Sequence, residues 1–257
     1  MNLDLKSRKA LVCGSSQGIG KAVALSLAEE GAGITLVARN KSKLEAVRNN
    51  LAGKDHIVFP ADLSEKAGVD SLIRHLSENT YDIVINNTGG PAPGDINEAN
   101  IDQFQKAIEM HLFASHQIMQ QVLPSMKEKQ YGRFINIIST SVKIPIKGLG
   151  VSNTVRGAMA SWSKTLSLEL GQYGITVNNI LPGFIDTDRL QSLITSIAEA
   201  RGVTKDEVAG EMKTTIPAGR FGDAGEIGKL AAFLASPAAA YINGVNIPVD
   251  GGRTGSM

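Results

Sequence analysis

Seven short apolar runs, most of them rich in valine and isoleucine, recur along this chain, each followed by a longer amphipathic stretch. They span Ala10 to Gly14, Ile34 to Ala38, His56 to Asp62, Asp82 to Asn87, Arg133 to Ile138, Ile175 to Ile180 and Val245 to Val249. Most lack the apolar–polar alternation of a half-exposed strand. That is how strands covered on both faces of a parallel sheet read. The stretches between them carry helical periodicity, as in KAVALSLAEEG and KLEAVRNNLAG, and both close on a glycine suited to end a helix. Strand, helix, strand in repetition predicts a doubly wound α/β fold with a mostly parallel seven-stranded sheet and helices on both faces.

No linker, repeat or low-complexity tract interrupts residues 1–257, so a single domain is expected. The longest departure from the strand–helix rhythm is Asp188 to Ala218, which reads as one or two helices outside it. Placed beyond the carboxyl end of a strand, the segment at 188–218 can cover a ligand crevice as a lid; the alternative is a plain surface hairpin. A formal net charge of +1 gives no reason to expect nucleic acid or an anionic membrane as partner. The single cysteine, Cys13, excludes an internal disulfide and suits a reducing, cytoplasmic setting. The first residues lack the apolar core of a signal peptide. No run reaches the ~18 apolar residues of a membrane span. No cysteine–histidine cluster has zinc spacing, so no metal site is expected.

Directly after the first run comes Cys13-Gly14-Ser15-Ser16-Gln17-Gly18-Ile19-Gly20, then a helical pattern. Glycine at such a turn permits backbone angles closed to other residues. Further glycines let the backbone approach a pyrophosphate and let helix pack close to strand, while the helix N-terminus offers free N–H groups to the phosphates. This points to a dinucleotide cofactor and to a Rossmann fold. The second run ends in Ala38-Arg39-Asn40. An acidic residue there would accept from the ribose 2′-hydroxyl of NAD, and none is present. Arg39 can instead pair with a 2′-phosphate, which favours NADP(H); otherwise it is a solvated surface arginine. Cys13 reads as a small buried side chain and not a reactive thiol.

The spacing of this loop, GxxxGxG, resembles that of the short-chain dehydrogenase/reductase family, and the resemblance runs from about residue 7 to residue 253. Asp62-Leu63 resembles the family's pair beside adenine. Asn86-Asn87-Thr88-Gly89 resembles its NNAG turn, with threonine for alanine. Pro182-Gly183-Phe184-Ile185-Asp186-Thr187 resembles its PG turn beside the nicotinamide, and GRFGDAGEIGKLAAFLAS followed by INGVNIPVDGG its C-terminal pattern. The chain is similar to bacterial 3-oxoacyl-carrier-protein reductase-like members. The resemblance implies cofactor contacts from Gly14, Ser15, Ser16, Gln17, Gly18, Ile19, Gly20, Arg39, Asp62, Leu63, Asn87, Gly89, Arg156, Pro182, Gly183, Ile185 and Thr187. It also implies a homotetramer or homodimer, with helices around 101–127 and 152–171 at the interface, and a small carbonyl or alcohol substrate.

At the catalytic positions the chain departs from that family. Counting from Gly132 places the family's serine at Ser139 and its tyrosine at Ser152. The helix ending Ser167-Leu168-Glu169-Leu170 gives the same frame, and the family's lysine falls on Arg156. Counting back from Pro124 places the family's asparagine at His111. A serine hydroxyl is a poor proton source, and arginine stays protonated. Arg156 stands one helical turn from Ser152 and can hold ribose hydroxyls or an oxyanion. Histidine, with an ordinary pKa of about 6.5, suits proton exchange. The expected set is therefore Ser139 and Ser152 polarising a carbonyl, Arg156 supplying charge, and His111 supplying the proton directly or through water. The alternative is a histidine packed on a helix face. Lys143, Lys147 and Arg189 flank the expected substrate crevice, where they can receive a carboxylate, a phosphate or a thioester carrier, or stand as solvated cations. Pro91 and Pro93 stiffen the loop after the fourth run. Three functions stay open: an NADP(H)-dependent oxidoreductase with an atypical catalytic set, an NADP(H)-binding protein without turnover, and a non-redox reaction on the same fold.

Overall fold

The computed structural model describes residues 3–255. The apolar runs form β1 (Lys9–Cys13), β2 (Gly33–Ala38), β3 (Ile57–Pro60), β4 (Ile83–Asn86), β5 (Gly132–Ile137), β6 (Ile175–Pro182) and β7 (Asn246–Val249). They pair in the order β3-β2-β1-β4-β5-β6-β7. Every pairing is parallel, so no antiparallel edge strand qualifies the sheet among the described residues. Chain order reverses between β1 and β4, and a crevice opens at the carboxyl ends there.

Between the strands lie α1 (Gly18–Glu29), α2 (Lys41–Arg48), α3 (Lys66–Glu78), α4 (Ile101–Ile108), α5 (Ala114–Glu128), α6 (Gly150–Leu170), α7 (Asp188–Arg201), α8 (Lys205–Thr214) and α9 (Ala224–Ala235). Successive strand residues feed opposite layers. Ala10, Val12, Ile34 and Leu36 join Val23 and Leu27 of α1 and Ile227 and Ala231 of α9. Leu11, Cys13 and Phe134 join Leu72 of α3, Ile118 and Val122 of α5 and Leu166 of α6. Covered on both sides, these strands have no need of polar alternation.

Three strands, β3, β4 and β7, are shorter than their apolar runs. Asp82 lies just ahead of β4: its backbone still bonds Lys9 and Arg133, and its carboxylate accepts from the Lys9 N–H and from Lys129 Nζ, both at 2.9 Å. Asp62 leaves β3 because its carboxylate accepts from the Ser64 N–H at 3.0 Å, closing a local turn.

A row of asparagines crosses the sheet at one level. Asn86, Asn136, Asn179 and Asn246 face one another in register on β4, β5, β6 and β7. Asn86 Nδ2 donates to Asn136 Oδ1 at 2.7 Å, Asn136 Nδ2 to Asn179 Oδ1 at 2.9 Å, and Asn179 Nδ2 to Asn246 Oδ1 at 2.7 Å. Asn136 Nδ2 also donates to Ser163 Oγ of α6 at 2.9 Å. Buried amides are tolerable here because each finds partners.

The segment from Ile101 to Glu128 is one helical run interrupted by a π-helical turn at Glu109–Phe113. The Asp188 to Ala218 segment forms two helices, α7 and α8. Gly202, at φ +64, ends α7, and Thr204 with Glu207 makes a capping box for α8. Leu190, Ile194, Ala198 and Val208 give this pair its own small core.

Replacing Asn136 with leucine leaves the Asn86 amide donor and the Asn179 carbonyl buried without their partner. Urea unfolding of N136L is expected to show a loss of roughly 3 kcal/mol. The double variant N136L/N179L is expected to be more stable than the sum of the two single changes.

Candidate active site

One crevice of about 1260 Å³ runs along the carboxyl ends of the strands. Its size suits a dinucleotide together with a small substrate. One end is the glycine loop. Gly14 sits at φ +63, and a Cβ there would stand 2.1 Å from the Asn87 carbonyl oxygen. Asn87 Nδ2 in turn donates to the Gly14 carbonyl at 3.2 Å, tying the loop to the end of β4. Gln17 is the N-cap of α1 but makes no side-chain cap, and the first turn holds no acidic residue. The opening N–H groups of α1 are therefore left for an anion, and Gly18 and Ile19 line the crevice. These residues fit a dinucleotide pyrophosphate.

Gly14, Ser16, Gln17, Gly18, Ile19, Arg39, Asp62, Leu63, Asn87, Gly89, Arg156, Pro182, Gly183, Ile185 and Thr187 all line this crevice. Ser15 and Gly20 stand behind its wall. The Ser15 hydroxyl donates to the Val37 carbonyl at 3.4 Å, and a Cβ on Gly20 would meet the Gly14 carbonyl oxygen at 2.2 Å. Burial pushes the Cys13 thiol up to about 12, so it stays protonated and inert.

At the far corner Arg39 follows β2 with a largely exposed side chain, 3.8 Å from the Asp62 carboxylate. Asn40 caps α2 by accepting from the Lys43 N–H at 2.9 Å. Lys43 also lines the crevice, its Nζ donating to Gln17 Oε1 at 2.7 Å. Sequence reasoning missed Lys43; its position in the first turn of α2, beside Arg39, is the signal that points to it.

At the opposite end, Ser139, Ser152 and Arg156 line the crevice together. Ser139 follows β5, and its Oγ accepts from the Ser141 N–H at 3.0 Å, which fixes the side chain. Ser152 and Arg156 lie one turn apart on α6 and are both buried. Arg156 Nη1 donates to the Ile137 carbonyl at 2.9 Å. Burial and the charge of Arg189 lower Arg156 to about 10, which leaves it cationic at neutral pH. Arg189 lines the crevice, whereas Lys143 does not, and Lys147 lines a separate shallow hollow.

His111 sits in the π turn, buried, and does not line the crevice. Its Nδ1 is hydrogen-bonded to Thr88 Oγ1, and Thr88 does line the crevice. Nε2 is buried without a partner. Burial, then the charges of Arg156 and Arg189, push its pKa down to about 3. The near-neutral value expected from the sequence does not survive folding, because an imidazolium here would be desolvated beside two cations. The contact with Thr88 was not foreseen; the threonine in place of the family's alanine was its one trace. The remaining histidines are engaged elsewhere: His56 accepts from the Ile34 N–H, His75 meets Tyr81, and His116 accepts from Trp162.

Below pH 6.5 the unfolded chain protonates His111 while the folded one does not, so this residue costs stability as pH falls toward about 3. His111→Asn removes that cost. Unfolding free energies at pH 7, 5.5 and 4.5 should show the variant gaining on wild type by up to roughly 1.4 kcal/mol per pH unit below 6.5. Parallel pH profiles would show that His111 titrates normally.

The profile of the family described as enoyl-(acyl carrier protein) reductase matches residues 14–254. The chain is 33% identical to NADPH-dependent reductase BacG of Bacillus subtilis (strain 168), over 98% of this chain and 100% of that one. It is 31% identical to 3-oxoacyl-[acyl-carrier-protein] reductase FabG of Escherichia coli (strain K12), over 97% and 98%. Among solved structures, L-sorbose reductase from Gluconobacter frateurii, complexed with NADPH and L-sorbose, superposes with a TM-score of 0.93 at 27% identity, each chain fully covered. With relatives above 30% identity along the whole chain, and with the parallel sheet and glycine loop in place, the chain belongs to the short-chain dehydrogenase/reductase family.

Proposed function

We propose that this protein is an NADP(H)-dependent oxidoreductase that interconverts a carbonyl and a secondary alcohol. One observation carries the reading: Ser139, Ser152 and Arg156 line the same crevice as the uncapped start of α1. The relatives described above, an NADPH-dependent reductase and a 3-oxoacyl-carrier-protein reductase, support it. A 2′-phosphate is received by Arg39 with Lys43 beside it.

Reduction of a carbonyl adds a hydride to carbon and a proton to oxygen. The bound nicotinamide supplies the hydride. Ser139 and Ser152 orient the carbonyl by donating to its oxygen. Arg156 meets the negative charge that develops there with a fixed positive one, which is worth most in a site shielded from water. His111 takes part through Thr88, as a neutral hydrogen-bonding partner and not as an imidazolium. The proton then comes from water held at Ser139 and Ser152.

Helices α7 and α8 act as a lid over residues 188–218, an assignment supported by Leu190, Ser192 and Leu193 lining the crevice. We place the protein in the cytoplasm as a homotetramer. Apolar Ile101, Phe113 and Leu168, exposed at 70%, 52% and 74%, support the helices around 101–127 and 152–171 as its contact faces. No helix of the described residues is long and apolar enough to cross a membrane.

A second reading, cofactor binding without turnover, is favoured by the absence of an ionisable proton donor among Ser139, Ser152 and the neutral His111. NADPH consumption by purified protein, against ketones, aldehydes and 3-oxoacyl thioesters, separates the two. The expected outcome is oxidation that requires a carbonyl, with Ser139→Ala lowering kcat/KM by about 10²–10³. Tight NADPH binding with no consumption on any compound establishes the second reading. Arg39→Ala is expected to weaken NADPH binding roughly tenfold to a hundredfold and leave NADH binding unchanged.

A further inference from the structure

Two guanidinium groups meet in the crevice without a counter-charge. Arg156 comes from α6 and Arg189 from the start of α7, and both line the same space. Neither forms an ion pair among the described residues, whereas Arg39, at the cofactor corner, has Asp62. Asp188, the one carboxylate lining this end, is exposed and paired with neither.

Arg189 is exposed and lines the crevice from the start of α7. Its guanidinium lies across the loop after β4, where a Cβ on Gly90 would stand 2.5 Å from Nη2 and 2.8 Å from Nη1. Arg156 is buried and spends one N–H on the Ile137 carbonyl. A guanidinium carries five N–H donors in a planar fork that matches a carboxylate. Each arginine lowers the protonation of its surroundings: Arg189 acts on Arg156, and both act on His111. Arg156 is buried, so a second like charge acting on it is unfavourable until an anion joins them.

We propose that the substrate is an oxo acid, or the matching hydroxy acid, whose carboxylate is held between Arg156 and Arg189 while its carbonyl faces Ser139 and Ser152. This rests on the oxidoreductase reading. Arg156 serves both groups when they are adjacent or one carbon apart, so 2-oxo and 3-oxo acids are favoured. The carboxylate also ties α7 to α6, because its two holders sit on different helices.

Calorimetric titration of the NADP⁺-saturated protein tests this with 2-oxo and 3-oxo acids of four to nine carbons, each against its uncharged amide. The acid is expected to bind at least about tenfold more tightly than the amide. Arg189→Gln, a change at an exposed position, should remove that preference and leave amide and NADPH affinities within about twofold. Acid and amide binding alike, or no binding of either, overturns the proposal. So does an Arg189→Gln variant that loses NADPH affinity in place of acid affinity, which would assign this arginine to the cofactor's phosphates. A preference for the acid with no NADPH oxidation on any carbonyl leaves the carboxylate site standing and overturns the oxidoreductase reading alone.

Discussion

The asparagine row is the constraint on which the working end of the sheet depends. Three buried amides and the half-buried Asn246 complete one chain of partners, and only one register of β4, β5, β6 and β7 gives it. A one-residue slip would turn these amides toward the opposite apolar layer. The row lies at the carboxyl end of β4, one residue before Asn87, which holds the glycine loop. Through Ser163 it also fixes α6, the helix that carries Ser152 and Arg156. The glycine loop and α6 are thus hung from one hydrogen-bonded line.

Upon that frame the crevice substitutes fixed charge for a mobile proton. The family's tyrosine and lysine are a titrating pair. Ser152 and Arg156 are a dipole and a permanent cation. Burial, with that cation and Arg189, keeps His111 neutral, so neither His111 nor Arg156 changes charge near neutral pH. Such a site is suited to orient and polarise, and to leave proton delivery to solvent.

Much of this was legible in the chain. The β-branched runs and the glycine loop dictated the parallel sheet and its switch point, because both depend on local pattern. Ser139, Ser152 and Arg156 could be placed by counting, and they meet in the crevice. Other features depend on burial and on contacts distant in sequence. The depressed pKa of His111 is set first by burial and then by Arg156 and Arg189, 45 and 78 positions away. The asparagine row joins residues up to 160 positions apart, and asparagines in apolar runs give no hint of alignment. Asp62 leaves its strand through a turn hydrogen bond that a propensity argument does not see.

The π turn between α4 and α5 shifts the phase of one long helix. An added residue rotates all that follows by about 100° relative to an unbroken α-helix. Before the turn, Phe104, Ala107 and Ile108 pack toward Val151 and Val155 of α6. After it, Ile118, Val122 and Met126 pack on the sheet layer shared with α3. A straight helix would have to choose between these neighbours. By changing phase at Glu109–Phe113 the chain keeps both, and the residue at the change of phase is His111.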